Sequence, residues 1–451
     1  MEKSELVHRA REVRATISRY MLADGMDLVF DLRRSRGSRI YDALRDRWFL
    51  DFFGCYATIP LGYNHPALCT AEVLEELAAV AVQKPSNSDV YTEELAAFVE
   101  AFAEAALPKR MKYLFFIDGG ALAVENALKT AFDWKVRRNF AQGADRELGH
   151  QVIHFRQAFH GRSGYTLSLT NTADPRKTQY FPKFDWPRVT NPKCRFPLAG
   201  ENLEQVIQEE ARALQEIRDV LERQAPDIAC LIIEPIQGEG GDNHFRPEFF
   251  EALRHICDEW DILLIYDEVQ TGFGATGTMW AAEQLVMPDI IVFGKKSQVC
   301  GIMVSDRIDD VPNHVFRESS RINSTWGGNL VDMVRCRHIL RIFRQERTLE
   351  GVRTLGATLL DELRQLEADF PRLVSNARGR GLFCAFDLPR QDLRNRLVRR
   401  LFEKGLIILP CGERSIRFRT ALNIPEEDLR RGLSLIREAL HELAAEPAAG
   451  S

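Results

Sequence analysis

Long apolar runs are missing from this 451-residue chain: none approaches the roughly 20 residues that cross a bilayer. The opening Met1-Glu-Lys-Ser-Glu-Leu also lacks the apolar core of a secretory leader, so a cytoplasmic protein is expected. Cys-x-x-Cys pairs are missing too. The nine cysteines are scattered, without metal-ligand spacing, and their odd number argues against a disulfide framework. They read as reduced packing residues, and no metal site is expected. A basic block is absent: 60 Lys and Arg stand against 65 Asp and Glu, a net charge of −5, which removes the electrostatic footprint of a nucleic-acid binder. Small metabolites are the expected partners. No Gly-x-Gly-x-x-Gly follows a strand and opens a helix, which disfavours a dinucleotide-dependent oxidoreductase. Internal repeats and low-complexity tracts are lacking as well.

What is present is a set of short, wholly apolar runs that end in chemistry. Ile262 to Tyr266 reads as a strand buried on both faces of a parallel sheet, and it ends at Asp267. Asp289 to Phe293 reads the same way and ends in Gly294, Lys295 and Lys296. Open α/β sheets bind ligands beyond the carboxyl ends of their strands. A carboxylate and an amine there suit pyridoxal phosphate, whose aldehyde needs a lysine and whose ring nitrogen needs an acid partner. An ordinary ion pair at a sheet edge would use the same two residue types.

Tyr113 to Asp118, Gly119-Gly120 and the periodic stretch Ala121 to Trp134 read as strand, tight loop and helix. Gly120 and Ala121 would offer free amides to a phosphate at the helix N-terminus, although a Gly-Gly turn is also a common plain connection. Gln151 to Phe155 is a further strand, followed by Ala158-Phe-His-Gly-Arg162. Phe159 there suits either ring stacking or core packing, and His160 suits a structural hydrogen bond. The run Cys230 to Gly241 carries Glu234 at a strand end and Glu239 in a glycine-rich loop. Paired-carboxylate hydrolysis or a metal would need histidines or a third acid, which are not there.

The remaining pattern frames these elements. Leu28 to Leu32 and Trp48 to Phe53 resemble short strands, Pro247 to Trp260 an amphipathic helix, and Thr172 to Leu198 an irregular excursion. Beyond Asn329, arginine-rich helices at 333–344 and 355–370 precede strand-like pieces at 381–386 and 406–409. A last helix runs from Glu426 to about Ala445, before a short tail expected to fray. The length exceeds one ordinary core, so two domains or a dimer sharing its site are expected.

Asp267-Glu-Val-Gln-Thr-Gly-Phe-Gly274 with Lys296 downstream resembles the signature of class III aminotransferases, of the fold type I pyridoxal phosphate superfamily. The resemblance runs from the Asp51 and Gly62-Tyr-Asn-His-Pro66 region through to Arg417. Within the class, Gly119 to Lys129, Phe293 to Gly301 and Asn323-Ser-Thr-Trp-Gly-Gly-Asn329 are most similar to the L-lysine 6-aminotransferases. Gly119 and Leu122 replace the usual Ser and Glu of the class, and Thr-Ala-Leu follows Arg417 in place of Pro-Pro-Leu.

The resemblance implies an α/β fold: a large cofactor-binding domain with a mostly parallel sheet at 61–330, and a smaller α/β domain built from 1–60 and 331–451. It makes Lys296 the covalent cofactor lysine and proton shuttle, and Asp267 the partner of the ring nitrogen. Lys296 is preferred to Lys295, whose side chain should leave the strand on the opposite side. Gln270 would bind the ring oxygen, Val269 would pack opposite Phe159, and His160 would lie beside it. Thr325 would reach across a homodimer with shared sites to the neighbour's phosphate, with Asn323 near the substrate end. Arg162 and Arg417 would bind carboxylates, Glu239 covering Arg417 when the amine-bearing carbon has none. The implied reaction moves the terminal amine of L-lysine to 2-oxoglutarate, giving L-glutamate, with ornithine or 4-aminobutyrate as alternative donors. Decarboxylation, racemisation or aminomutase chemistry with the same cofactor, and a catalytically silent binding protein, are the rivals on the same fold.

Overall fold

The computed structural model describes residues 10–446. Residues 1–9, on which the leader reading rests, and the tail after Glu446 lie outside the described residues.

Seven strands form the central sheet, in the order Met111–Ile117, Cys300–Ser305, Ile290–Phe293, Leu263–Asp267, Ile228–Ile233, Gln151–Phe155 and Arg188–Val189. All neighbours are parallel except Cys300–Ser305, which runs antiparallel to both its partners. Ile228–Ile233, Leu263–Asp267 and Ile290–Phe293 are buried at every position, which is why they read as unbroken apolar runs with no alternation. Helix Gly120–Ala141 covers one face. Ala123, Val124, Ala127, Leu128, Ala131 and Trp134 recur at three- and four-residue spacing and bury a continuous stripe on the sheet. Helix Pro247–Glu259 buries Phe249, Phe250, Leu253, Ile256 and Cys257 in the core of the other face, together with Glu93–Ala106 and Leu330–Gln345. This sandwich holds the carboxyl ends of the strands rigidly around one crevice.

Two smaller sheets flank that crevice. Ser375–Arg380, Phe383–Asp387, Ser415–Arg417 and Leu409–Cys411 make an antiparallel sheet that delivers Arg417. Arg39–Asp42 and Arg47–Asp51 pair with each other and then, in parallel, with Leu406–Ile407. The run 406–409, read as one strand, therefore divides between two sheets. The predicted strand at Leu28 to Leu32 is reduced to a single bridge between Phe30 and Asp42. Asp31 accepts hydrogen bonds from the amides of Arg33 and Arg34 and bends the chain into a turn there, so the pairing partner of Arg47–Asp51 is Arg39–Asp42. Thr172 to Leu198 is mostly irregular, broken by a short turn at Pro175–Lys177 and the edge strand Arg188–Val189.

Candidate active site

Asp267 closes its strand, and in the parallel register it lies opposite Val292, so the neighbouring strand runs past it and carries the chain beyond the carboxylate. Each of its two oxygens has a partner. Oδ2 meets Nδ1 of the buried His160 at 2.8 Å and Oδ1 accepts from the amide of Val269 at 3.0 Å. His160 thus orients the acid, a role more specific than that of a neighbour to Phe159. Glu234, on the adjacent strand end, accepts from the amides of Phe159 and Gly238 at 2.9 and 3.1 Å. Burial, and then the charge of Asp267, push Glu234 well above the usual carboxylate range. It ties together the two loops that carry Phe159 and Glu239. The sequence shows the acid at that strand end, but not that both loop amides converge on it.

The two lysines part company at Gly294. Strand pairing stops at Phe293; Gly294 is extended, and Lys295 takes a left-handed φ of +53° at the start of the turn Lys295–Ser297. Lys295 lines a cavity of about 830 Å³, together with Phe159, Arg162, Glu239, Gln270 and Arg417. Lys296 points the other way. Its amine is buried, donating to the carbonyls of Ile59 and Thr420 at 2.8 and 3.0 Å. The expectation that Lys296 faces the cofactor is therefore corrected: the geometry puts Lys295 in the crevice, because the strand ends at Phe293 and only Gly294 separates it from the turn that carries the lysines. Burial, reinforced by Arg417 and Arg419, lowers the Lys295 amine to about 8, with Asp267 opposing. Burial and Arg419 lower Lys296 to about 7.

The start of helix Gly120–Ala141 has the geometry of an anion-binding turn. Gly119 has a φ of +103°, which costs glycine little, and the first amides of the helix have no intrahelical partner. A Cβ on Gly120 would lie 3.2 Å from Cγ1 of Val269, so the glycine lets the loop sit directly on that side chain. An anionic group at this dipole end, Val269 on one side, an aromatic at Phe159, an acid at Asp267 and a depressed amine at Lys295 fit the functional groups of pyridoxal phosphate.

At the substrate end, Arg417 is buried and its Nε has no partner, while Nη1 makes one long contact of 3.4 Å with Gln270 Oε1. Burial pulls this guanidinium below its ordinary value, so it is an electrostatically unsatisfied receptor for a carboxylate. Arg162 lines the same cavity from its exposed rim. Glu239 does not cover Arg417, as the resemblance implies it should. Its Oε1 takes 2.5 Å and 2.8 Å contacts from Lys177 Nζ and Thr172 Oγ1, donors from the irregular excursion that carry no local sequence signal. Asn323 and Thr325 are absent from this cavity. They sit on an exposed turn pinned to residues 86–88, where Ser88 Oγ donates to the Ser324 carbonyl at 2.9 Å and Lys84 lies 3.8 Å from the Trp326 ring centroid. A larger cavity of about 1020 Å³ opens beside helix Leu330–Gln345, but Glu76 in its wall already pairs with Arg337 and His338, and none of the residues above faces it.

The profile of the aminotransferase class-III family matches residues 20–440. The L-lysine-epsilon aminotransferase of Mycobacterium tuberculosis is 52% identical over 430 residues, 95% of each chain. That of Streptomyces clavuligerus is 47% identical over 441 residues, 96% of this chain and 95% of its own. A solved lysine aminotransferase structure from M. tuberculosis superposes with a TM-score of 0.94 at 51% identity, covering 97% of this chain and all of that one. With an acid, an amine and a helix N-terminus at the strand ends and this likeness along nearly the whole length, the chain belongs to the class III aminotransferases.

Proposed function

We propose that the enzyme moves the terminal amine of L-lysine to 2-oxoglutarate, giving L-glutamate and 2-aminoadipate 6-semialdehyde, which cyclises to piperideine-6-carboxylate. The full-length likeness to L-lysine-epsilon aminotransferases carries this reading. A crevice with one cation at its rim and one buried beside the amine supports it. Bound pyridoxal phosphate supplies the electron sink that lets an amine-bearing carbon lose its proton. Lys295 would hold the cofactor's aldehyde carbon through Nζ and, once released, would move the substrate proton with the same atom. Asp267, braced by His160, would hold a proton on the ring nitrogen. Gly120 and Ala121 would hold the phosphate, Phe159 and Val269 the ring faces, and Gln270 the ring oxygen. Arg162 would take the α-carboxylate of lysine or the γ-carboxylate of glutamate, and Arg417 the α-carboxylate that only glutamate brings near the amine.

Thr325 and Asn323 would serve the site of a second subunit, which gives a homodimer with shared sites; their exposed turn beside Lys84 and Trp326 is the face that supports this. We read 61–330 as the large domain and 1–60 with 331–451 as the smaller one, a division supported by the two smaller sheets, whose strands come from 39–51 and 375–417. Among the described residues no helix is long and apolar enough to cross a membrane, and the nine unpaired cysteines suit a reducing cytoplasm. An amino-donor panel with 2-oxoglutarate tests the substrate. Lysine should lead, and faster turnover of ornithine or 4-aminobutyrate would overturn the assignment.

A further inference from the structure

We propose that Lys177, with Thr172, is a latch for Glu239: a second counter-ion that holds this carboxylate off Arg417 and so sets the balance between the two half-reactions. The inference rests on the reading that Glu239 and an incoming carboxylate compete for Arg417.

Three observations carry it. First, one oxygen of Glu239 takes both donors, Lys177 Nζ at 2.5 Å and Thr172 Oγ1 at 2.8 Å, while Arg417 keeps a buried Nε without any partner. Glu239 and Arg417 line the same cavity, so the arginine offers the carboxylate an alternative site that this conformation leaves open. Second, the backbone that carries Glu239 is held in place. The Glu239 carbonyl accepts from the Gly412 amide at 2.9 Å, and added Cβ atoms on Gly238 and Gly240 would lie 2.6 Å from the Gln270 amide and 2.2 Å from the Gln157 carbonyl oxygen. The packed backbone assigns the relocation to the Glu239 side-chain torsions. Third, the turn that carries Lys177 is held by its own hydrogen bonds. Asp174 caps the turn Pro175–Lys177 by accepting from the Arg176 amide at 3.2 Å, and Thr172 Oγ1 accepts from the Asp174 amide at 3.3 Å. The pair is half-buried, with side-chain exposures of 32% for Lys177 and 20% for Glu239, so it competes with Arg417 without overwhelming it.

The consequence is directional. With Glu239 latched, Arg417 is open to the second carboxylate of glutamate or 2-oxoglutarate. Without the latch Glu239 falls onto Arg417, and every dicarboxylate must displace it. Lysine, which brings no carboxylate to Arg417, is indifferent or helped.

The test uses cofactor-loaded enzyme and two readouts. Calorimetric binding of glutarate, a dicarboxylate without an amine, should weaken roughly three- to tenfold in Lys177→Met, a scale set by one half-buried ion pair. Lys177→Arg should restore it. Single-turnover kinetics should show a similar rise in the apparent KM for glutamate and 2-oxoglutarate with kcat preserved, while kcat/KM for lysine changes less than about twofold. In a Glu239→Gln background, adding Lys177→Met should change nothing further. Unchanged glutarate affinity in Lys177→Met, or an equal weakening in the Glu239→Gln background, would overturn the latch, the second by showing that Lys177 binds the ligand itself. Failure of the substrate reading is a separate result, seen as absent lysine turnover in wild-type enzyme, and the glutarate measurement stands without it.

Discussion

Replacing Lys295 with methionine should remove both the covalent anchor and the proton shuttle, whereas the same change at Lys296 should leave both in place. The magnitude follows from the crevice. An amine lowered to about 8 from the ordinary 10.5 is free base in roughly a quarter of molecules at pH 7.5, against about 0.1% unperturbed, so burial and the two arginines raise the reactive population about 200-fold. Loss of a positioned base alone costs about 10²–10⁴ in rate, and kcat should fall by at least about 10³ once the anchor is lost as well. Lys295→Arg should fail comparably, because a guanidinium keeps the charge but cannot supply a free base. The assay is borohydride treatment of the loaded enzyme, which fixes the cofactor to its lysine, followed by peptide mapping and by single-turnover rates. The label belongs on Lys295 in the wild type and in Lys296→Met. A label on Lys296, or Lys295→Met turning over within tenfold of wild type, would refute the assignment.

Lys296 gives a stability prediction of its own. Its folded value of about 7 lies below the unfolded 10.5, so between those limits the unfolded chain binds the extra proton and stability rises with pH at up to about 1.4 kcal/mol per unit. Urea midpoints for Lys296→Met should be flatter than wild type from pH 7 to 10, and parallel curves would contradict the buried amine. Asp267→Asn should retain cofactor yet lose about two to three orders of magnitude in kcat, because the ring nitrogen loses its acid partner; near-normal turnover would exclude that role. Sedimentation should give a dimer, and Thr325→Ala should weaken cofactor retention without altering the dimer; a fully active monomer would end the shared-site reading.

The crevice was legible in the sequence wherever a residue sits at the end of an apolar strand. Asp267, Glu234 and the Gly119-Gly120 turn are marked by the abrupt change from apolar residues to polar ones or glycine, and the two strands that carry the acids are buried at every position. Arg417 and Gln270 came from motif likeness, and the fold brings both to one cavity with Phe159, Arg162 and Glu239. The choice between Lys295 and Lys296 went astray for a local reason. Strand alternation continued beyond Phe293 would turn Lys296 inward, but the chain turns at Gly294, and a left-handed Lys295 reverses which side chain faces in. The engagement of Glu239 was out of reach for a non-local reason, since its partner Lys177 lies 62 residues away in a segment without periodicity. His160 on Asp267 is likewise a contact across 107 residues, which no window of sequence displays.

The pairing of Leu50 with Leu406 also has a meaning for the order in which the protein is made. The ribosome delivers Arg47–Asp51 early and its parallel partner about 350 residues later, which at ~5–20 residues per second is a wait of roughly 20–70 s. Through that interval Phe49 lacks Phe402 and Ile407, the residues that cover it in the finished molecule. The nascent chain therefore carries an open strand edge and an apolar face while the central sheet is already complete. Truncation anywhere before Leu406 strands that edge permanently, so shortened products of this gene should be captured by chaperones or aggregate, even when every residue of the central sheet is present.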